Sequence, residues 1–257
     1  MKKYFNFNLI LLALPLVLFA CNGNDTTTST GSTTDSTKTT GVDSSAKGPG
    51  TDAAAVAPNL YQVVKDTMGI RILKVTYKPG DSSAMHSHPD NVLYVVDGAK
   101  MQFTMPDGST QVHVLTPGMT VVQSGSSHSV KNIGNTTANA YLFEVNRANT
   151  AGTTNPAMDA VKVAPALYKI MKDTMNIRVL EATYKPGASS ALHAHPDNAI
   201  YVIEGGNSEF TDKDGKKQPS AMAKEMATVM PAGVHGVKNI GTVPTKVLIV
   251  EVNRPAK

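Results

Sequence analysis

Tyr77 to Asn91 reads YKPGDSSAMHSHPDN, and Tyr184 to Asn198 reads YKPGASSALHAHPDN, a near-copy 107 residues further on. Six of the seven histidines fall on two equivalent sets, His86, His88 and His128 in the first copy and His193, His195 and His235 in the second. The match extends outward from these segments. APNLYQVVKDTMGIRIL from Ala57 pairs with APALYKIMKDTMNIRVL from Ala164, and YLFEVNR from Tyr141 answers LIVEVNR from Leu248. A repeat of about a hundred residues is large enough for a small core of its own, so two similarly folded domains are expected, packed about a local twofold axis.

The pattern within each copy is strand-like. Candidate strands run over about 70–78, 92–97, 99–105, 111–115, 119–122, 127–132 and 138–146, with a matching set in the second copy. They are short, rich in Val, Ile, Tyr and Thr, and punctuated by KPGD, VDG, MPDG and TPG, which suits an all-β antiparallel sandwich or jelly-roll barrel. The KDTM stretches are read as a brief helical turn. Gly98 and Gly205 are read as tight-turn residues.

His86 and His88 are two apart, so on an extended strand both rings point to one face. His128 must reach them from a different strand, which closure of an antiparallel barrel allows. Three imidazoles suit Fe, Mn, Ni, Cu, Co or Zn better than Ca or Mg. The acidic residues of MPDG and DKDG are too few and wrongly spaced for a calcium loop. His113 has no counterpart in the second copy and is read as an outward strand residue. Met85 and Leu192 are expected in the packed core, Arg71, Arg178, Lys65 and Lys172 as surface charge, and Asp90 and Asp197 in a structural turn. There is no convincing Ser, His and Asp triad and no phosphate-cradling loop.

These motifs resemble those of the cupin superfamily. Gly80, His86, His88, Asn91 and Gly98 follow its first motif, and Gly125, His128 and Asn132 its second; the other copy supplies Gly187, His193, His195, Asn198 and Gly205, then Pro231, Gly233, His235 and Asn239. The resemblance implies two double-stranded β-helix barrels in tandem, a bicupin, with one divalent transition-metal site inside each. Asn91 and Asn198 stand where the family pattern has Glu, so each is a candidate neutral ligand, a water-orienting group or a residue outside the ligand set. Gly233 precedes His235 by two positions where Gly125 precedes His128 by three, so the approach to His235 is expected to be shortened and the two sites unequal. Catalytic side chains beyond the ligands are not identified. Dioxygenase chemistry on a small-molecule substrate, non-catalytic metal or ligand binding, and isomerisation of a sugar or organic acid all remain compatible with three histidines.

The N-terminal region has a different character. Lys2, Lys3, the apolar run from Leu9 to Ala20 and LFAC at Leu18 to Cys21 resemble a bacterial lipoprotein signal. Residues 1–20 are then the signal peptide and Cys21 the acylated residue. Residues 21–56, dominated by Thr, Ser and Gly, form a flexible tether with a reach of roughly 30 Å. The two domains follow as 57–150 and 164–257, joined by a linker over 151–163. This predicts an outer-membrane protein, in contact with the membrane through its lipid and facing the periplasm or the cell surface. The formal charge of +4 falls to about +2 without Lys2 and Lys3, and no dense basic stripe supports a nucleic-acid partner.

Overall fold

The computed structural model describes residues 51–153 and 155–256, so the signal, Cys21 and most of the tether lie outside the described residues. In the first copy a single helical turn, α1 (Ala53–Val56), leads into nine strands: β1 (Tyr61–Thr67), β2 (Ile70–Tyr77), β3 (Ser82–His88), β4 (Asn91–Asp97), β5 (Lys100–Thr104), β6 (Thr110–Val114), β7 (Thr120–Gln123), β8 (Ser126–Asn132) and β9 (Ala138–Val145). The second repeats the order: α2 (Ala160–Val163), β10 (Tyr168–Thr174), β11 (Ile177–Tyr184), β12 (His193–His195), β13 (Asn198–Glu204), β14 (Gly206–Asp212), β15 (Lys217–Met222), β16 (Ala227–Met230), β17 (Gly233–Asn239) and β18 (Thr245–Val252). Among the described residues no helix is long and apolar enough to cross a membrane.

Each copy folds two antiparallel sheets against one another. In the first, β1-β2-β9-β4-β7 faces β3-β8-β5-β6; in the second, β10-β11-β18-β13-β16 faces β12-β17-β14-β15. These are two jelly-roll barrels in tandem. The central strands of the five-stranded sheets, β2, β9 and β4 with β11, β18 and β13, are largely buried on both faces, and strand alternation separates the two environments. On β2, Leu73, Val75 and Tyr77 fill the first barrel, whereas Ile70 and Ile72 join a core that also contains Ile177, Val179 and Val250 of the second. Tyr94 and Tyr201 belong to this shared core, with ring centroids 5.4 Å apart. Apolar burial between the barrels accounts for the nearly continuous apolar runs of β9 and β18.

Several local expectations are corrected. KDTM is not helical: it is the end of a strand running into a two-residue hairpin. Met68 and Gly69 have φ of 55° and 66°, and Met175 and Asn176 have 56° and 53°. Two consecutive left-handed residues are what a hairpin turn matched to strand twist requires, and Gly69 and Asn176 are residue types that accept it. This turn creates β1 and β10, which the strand pattern had missed. Gly98 and Gly205 serve close approach: an ideal Cβ would lie 2.2 Å from the Leu115 carbonyl oxygen at Gly98 and 2.6 Å from the Met222 carbonyl oxygen at Gly205.

Candidate metal centre

The strand register brings the histidines together. β3 pairs with β8, placing His86 directly opposite His128, and β12 pairs with β17, placing His193 opposite His235. His88 and His195 lie two residues along on the same face. In each barrel the three nearest ring nitrogens fall within 4.8 Å of one another. His86 and His193 are fully buried, His88, His128 and His195 nearly so, and His235 is half-buried.

Hydrogen bonds define which nitrogen faces inward. His88 Nδ1 lies 2.7 Å from Glu144 Oε1, and His195 Nδ1 lies 2.7 Å from Glu251 Oε1. A carboxylate accepts, so Nδ1 carries the hydrogen and Nε2 keeps its lone pair. His86 Nδ1 likewise donates to the Ala84 carbonyl at 2.8 Å, and His193 Nδ1 to that of Ala191 at 2.9 Å. Burial, then proximity to the other two rings, pushes His128 and His235 down to about 3. Burial also lowers His86 and His193 below the usual histidine value. These rings are neutral at pH 7, the protonation state that binds metals.

The donor set fits a divalent transition ion. Soft-to-borderline nitrogen donors converge, the tautomers of two in each barrel are fixed from behind, and His195 Nε2 is buried without any hydrogen-bond partner. An apolar interior of about 60 Å³ adjoins the first site, bounded by Tyr61, His88, Phe103, Gln123, His128 and Leu142. A groove of about 1030 Å³ runs past the outer side of the second, touching Arg178, His195 and Glu251.

The supporting carboxylates were not singled out in the sequence. On β9 the inward positions are Ala138, Ala140, Leu142 and Glu144, so alternation carries a fully buried carboxylate to the metal end of the barrel. Arg71 meets it from the neighbouring strand, donating through Nε to Glu144 Oε2 at 2.6 Å, and its NH2 group pairs with Asp52. Asp52 in turn caps α1 by accepting from Ala54 N at 3.0 Å. The second barrel repeats this as His195, Glu251, Arg178 and Asp159. Arg71 and Arg178 are therefore partners of buried carboxylates rather than surface charge. Lys65 and Lys172 are exposed as expected, and so is His113.

The open reading of Asn91 and Asn198 narrows, and two further expectations change. Asn91 donates through Nδ2 to the Pro89 carbonyl at 2.8 Å and accepts from Gln123 Nε2 at 2.9 Å, so its amide is committed to neighbours. Asn198 repeats the first bond, to Pro196, but is paired across the sheet with Met230. Met85 and Leu192 are 41% and 39% exposed, because facing both adjoining histidines inward turns these side chains out. Finally, the approach to His235 is not shortened. Gly125 N donates to Asp90 Oδ1 and Ala232 N donates to Asp197 Oδ1, so Ala232, three residues before His235, is the true counterpart of Gly125.

A sequence profile of the cupin domain matches residues 73–144 and again residues 180–251. The chain belongs to the cupin family. Solved structures similar to this bicupin include a variant of oxalate decarboxylase from Bacillus subtilis, 16% identical over 74% of this chain and 70% of that one, with a TM-score of 0.52. The same enzyme studied for its Mn(II) centres is 16% identical over the same shares, with a TM-score of 0.50. AerE from Microcystis aeruginosa is 12% identical over 75% of this chain and 91% of its own, with a TM-score of 0.50. At these identities the likeness is one of fold. No curated protein matches the sequence.

The buried histidines give the metal-free protein a defined acid sensitivity. The folded values of His86, His128, His193 and His235 lie below the ordinary value of 6.5, at about 3 for His128 and His235. Between those limits the unfolded chain binds more protons, so the contribution is complete above about 6.5 and is lost as pH falls toward 3. In chelator, the urea midpoint is expected to fall between pH 6.5 and 4 more steeply than in His128→Gln/His235→Gln. Equal slopes would contradict the neutral, buried state of these rings.

Proposed function

We propose that this cupin holds one divalent transition ion at His86, His88 and His128 and a second at His193, His195 and His235, and acts on a small molecule as a non-haem oxygenase. The observation that carries this reading is the duplicated convergence of three inward-facing imidazoles, two of which in each barrel are held from behind through Nδ1. The bound ion would supply a Lewis-acid and redox centre with positions left for substrate. The protein's part is to position and exclude. Glu144 and Glu251 hold His88 and His195 in the ligating orientation, while Phe103 and Leu142 keep bulk water from the interior of the first barrel. The small size of that interior favours a substrate, or a reacting end of one, of only about four heavy atoms.

Metal analysis tests the assignment directly. The wild type is expected to carry two ions per chain, and His88→Ala and His195→Ala one each; unchanged stoichiometry in the variants would sink the ligand assignment. Substrate-dependent oxygen uptake that needs intact histidines supports oxygenation. Product formed under strict anoxia would replace it with isomerisation or other Lewis-acid chemistry, and tight binding without turnover with a non-catalytic role.

The LFAC motif supports a further reading, that Cys21 is acylated and residues 21–56 display the barrels from an outer membrane. Cys21→Ser is expected to move the protein from the membrane to the soluble fraction. Retention on the membrane would overturn the anchor.

A further inference from the structure

Two tyrosines share the metal-facing side of the site without belonging to any sequence motif. Tyr61 and Tyr168 are the first residues of β1 and β10, and each is 5% exposed. Tyr61 OH lies 3.1 Å from His86 Nε2, and Tyr168 OH lies 2.7 Å from His193 Nε2. Because Nδ1 of each histidine already donates to a backbone carbonyl, Nε2 of the neutral ring is an acceptor, and the phenol must be the donor. Behind each phenol stands a second one: Tyr77 OH donates to Tyr61 OH at 2.8 Å, and Tyr184 OH lies 2.8 Å from Tyr168 OH. Ser83 Oγ and Ser190 Oγ close the two chains at 2.9 and 3.1 Å.

The phenol hydrogen and a metal ion compete for the same lone pair. Once an ion takes Nε2 of His86 or His193, a buried O–H loses its acceptor, and a buried donor without an acceptor is costly. Charge indicates where it goes. Imidazole ligands bring no negative charge, Asn91 and Asn198 supply none, and Glu144 and Glu251 are already faced by Arg71 and Arg178. A dication there lacks a compensating negative donor, which favours an anionic ligand.

We propose that Tyr61 and Tyr168 orient a small oxyanion at the two metal centres, each donating its phenol hydrogen to an oxygen of that ligand once the ion occupies the histidine nitrogen. This rests on the metal-binding reading above and adds a ligand class and a residue that recognises it. The protein offers one competing acceptor: Tyr77, if it turned its own hydrogen onto Ser83 Oγ, could take back the hydrogen of Tyr61, as Tyr184 could that of Tyr168.

The full chain loaded with Co(II), titrated with acetate and followed by the visible spectrum of the ion, tests the proposal against Tyr61→Phe/Tyr168→Phe. The double variant is expected to keep two ions per chain with Co(II) affinity within about threefold of wild type. Its acetate affinity should be weaker by about tenfold to a hundredfold, the loss of a hydrogen bond to a charged group. Neutral acetamide should bind both proteins equally weakly. Equal acetate affinity in the two proteins would mean that the phenols turn back on Tyr77 and Tyr184, and would overturn the proposal. So would a visible charge-transfer band in the Fe(III) form that disappears in the double variant together with metal affinity, since the phenols would then be ligands. Failure of the wild type to take up Co(II) would instead remove the metal reading itself, and this one with it.

Discussion

Glu144→Gln is expected to weaken metal binding in the first barrel by about tenfold to a hundredfold while leaving the second barrel at its wild-type affinity. The carboxylate has two tasks, accepting from His88 Nδ1 at 2.7 Å and from Arg71 Nε at 2.6 Å, and it is fully buried. An amide of the same shape has one acceptor oxygen and one donor nitrogen. Whichever way it turns, a donor faces a donor. If its nitrogen faces His88, the ring loses the bond that sets its tautomer and orientation; if it faces Arg71, a partly buried guanidinium loses its carboxylate. Breaking such a pair while retaining one charge costs about 3 kcal/mol, or roughly 6–12 °C in the unfolding midpoint for a fold of this size. A competition titration that resolves the two sites checks the first effect, and thermal unfolding in chelator checks the second. Uniform weakening at both sites would mean that Glu144 acts through general stability and not through His88.

That this carboxylate escaped notice in the sequence while the histidines did not has a physical reason. His86 and His88 announce themselves because two imidazoles at strand spacing share a face, and the second copy repeats them. Glu144 announces itself only once the facing of β9 is known: Ala138, Ala140 and Leu142 are inward, and a charge at the next inward position must have a partner. The register that supplies Arg71 belongs to a pairing between residues 73 apart, which no local pattern encodes. Tyr61 was hidden differently. The strand that follows it is exposed over Gln62 to Asp66, so it lacks the apolar alternation that marks β2 or β4. Its signal was the turn, since Met68-Gly69 and Met175-Asn176 each place a residue that accepts left-handed φ between two extended segments. The mistaken shortening before His235 came from aligning glycine with glycine. The backbone aligns by function instead, because any residue's N–H can meet Asp197 as that of Gly125 meets Asp90.

The same two aspartates carry the second large effect, and it should appear in the opposite barrel from the substitution. Arg254, just beyond β18, reaches across to donate to Asp90 Oδ2 at 2.9 Å, and Arg147, just beyond β9, reaches back to Asp197 Oδ2 at 2.8 Å. Each guanidinium also binds the other arginine's carbonyl, at 3.1 and 2.8 Å, and a hairpin-turn carbonyl, Met175 for Arg254 and Met68 for Arg147. Both arginine side chains are almost entirely buried, while the aspartates keep some access to water. Asp90 follows His88 by two residues, and its other oxygen holds Gly125 N at the start of the approach to His128. Arg254→Met therefore removes a buried donor that serves three acceptors, at a cost of about 3 kcal/mol, the lower end for a broken buried pair because water can reach the aspartate. It also loosens the Asp90 contact that ties the end of β3 to the start of β8, the two ligand strands of the first site. The metal affinity of the first barrel is expected to drop on the order of tenfold, as for other supporting contacts of a metal ligand, with the second barrel retaining more of its affinity. Arg147→Met should reverse the order. Site-resolved metal titration of the two variants, alongside urea unfolding, separates this crossed pattern from simple destabilisation. An Arg254 variant that damages chiefly its own barrel would show that the clasp holds the fold together without shaping the sites.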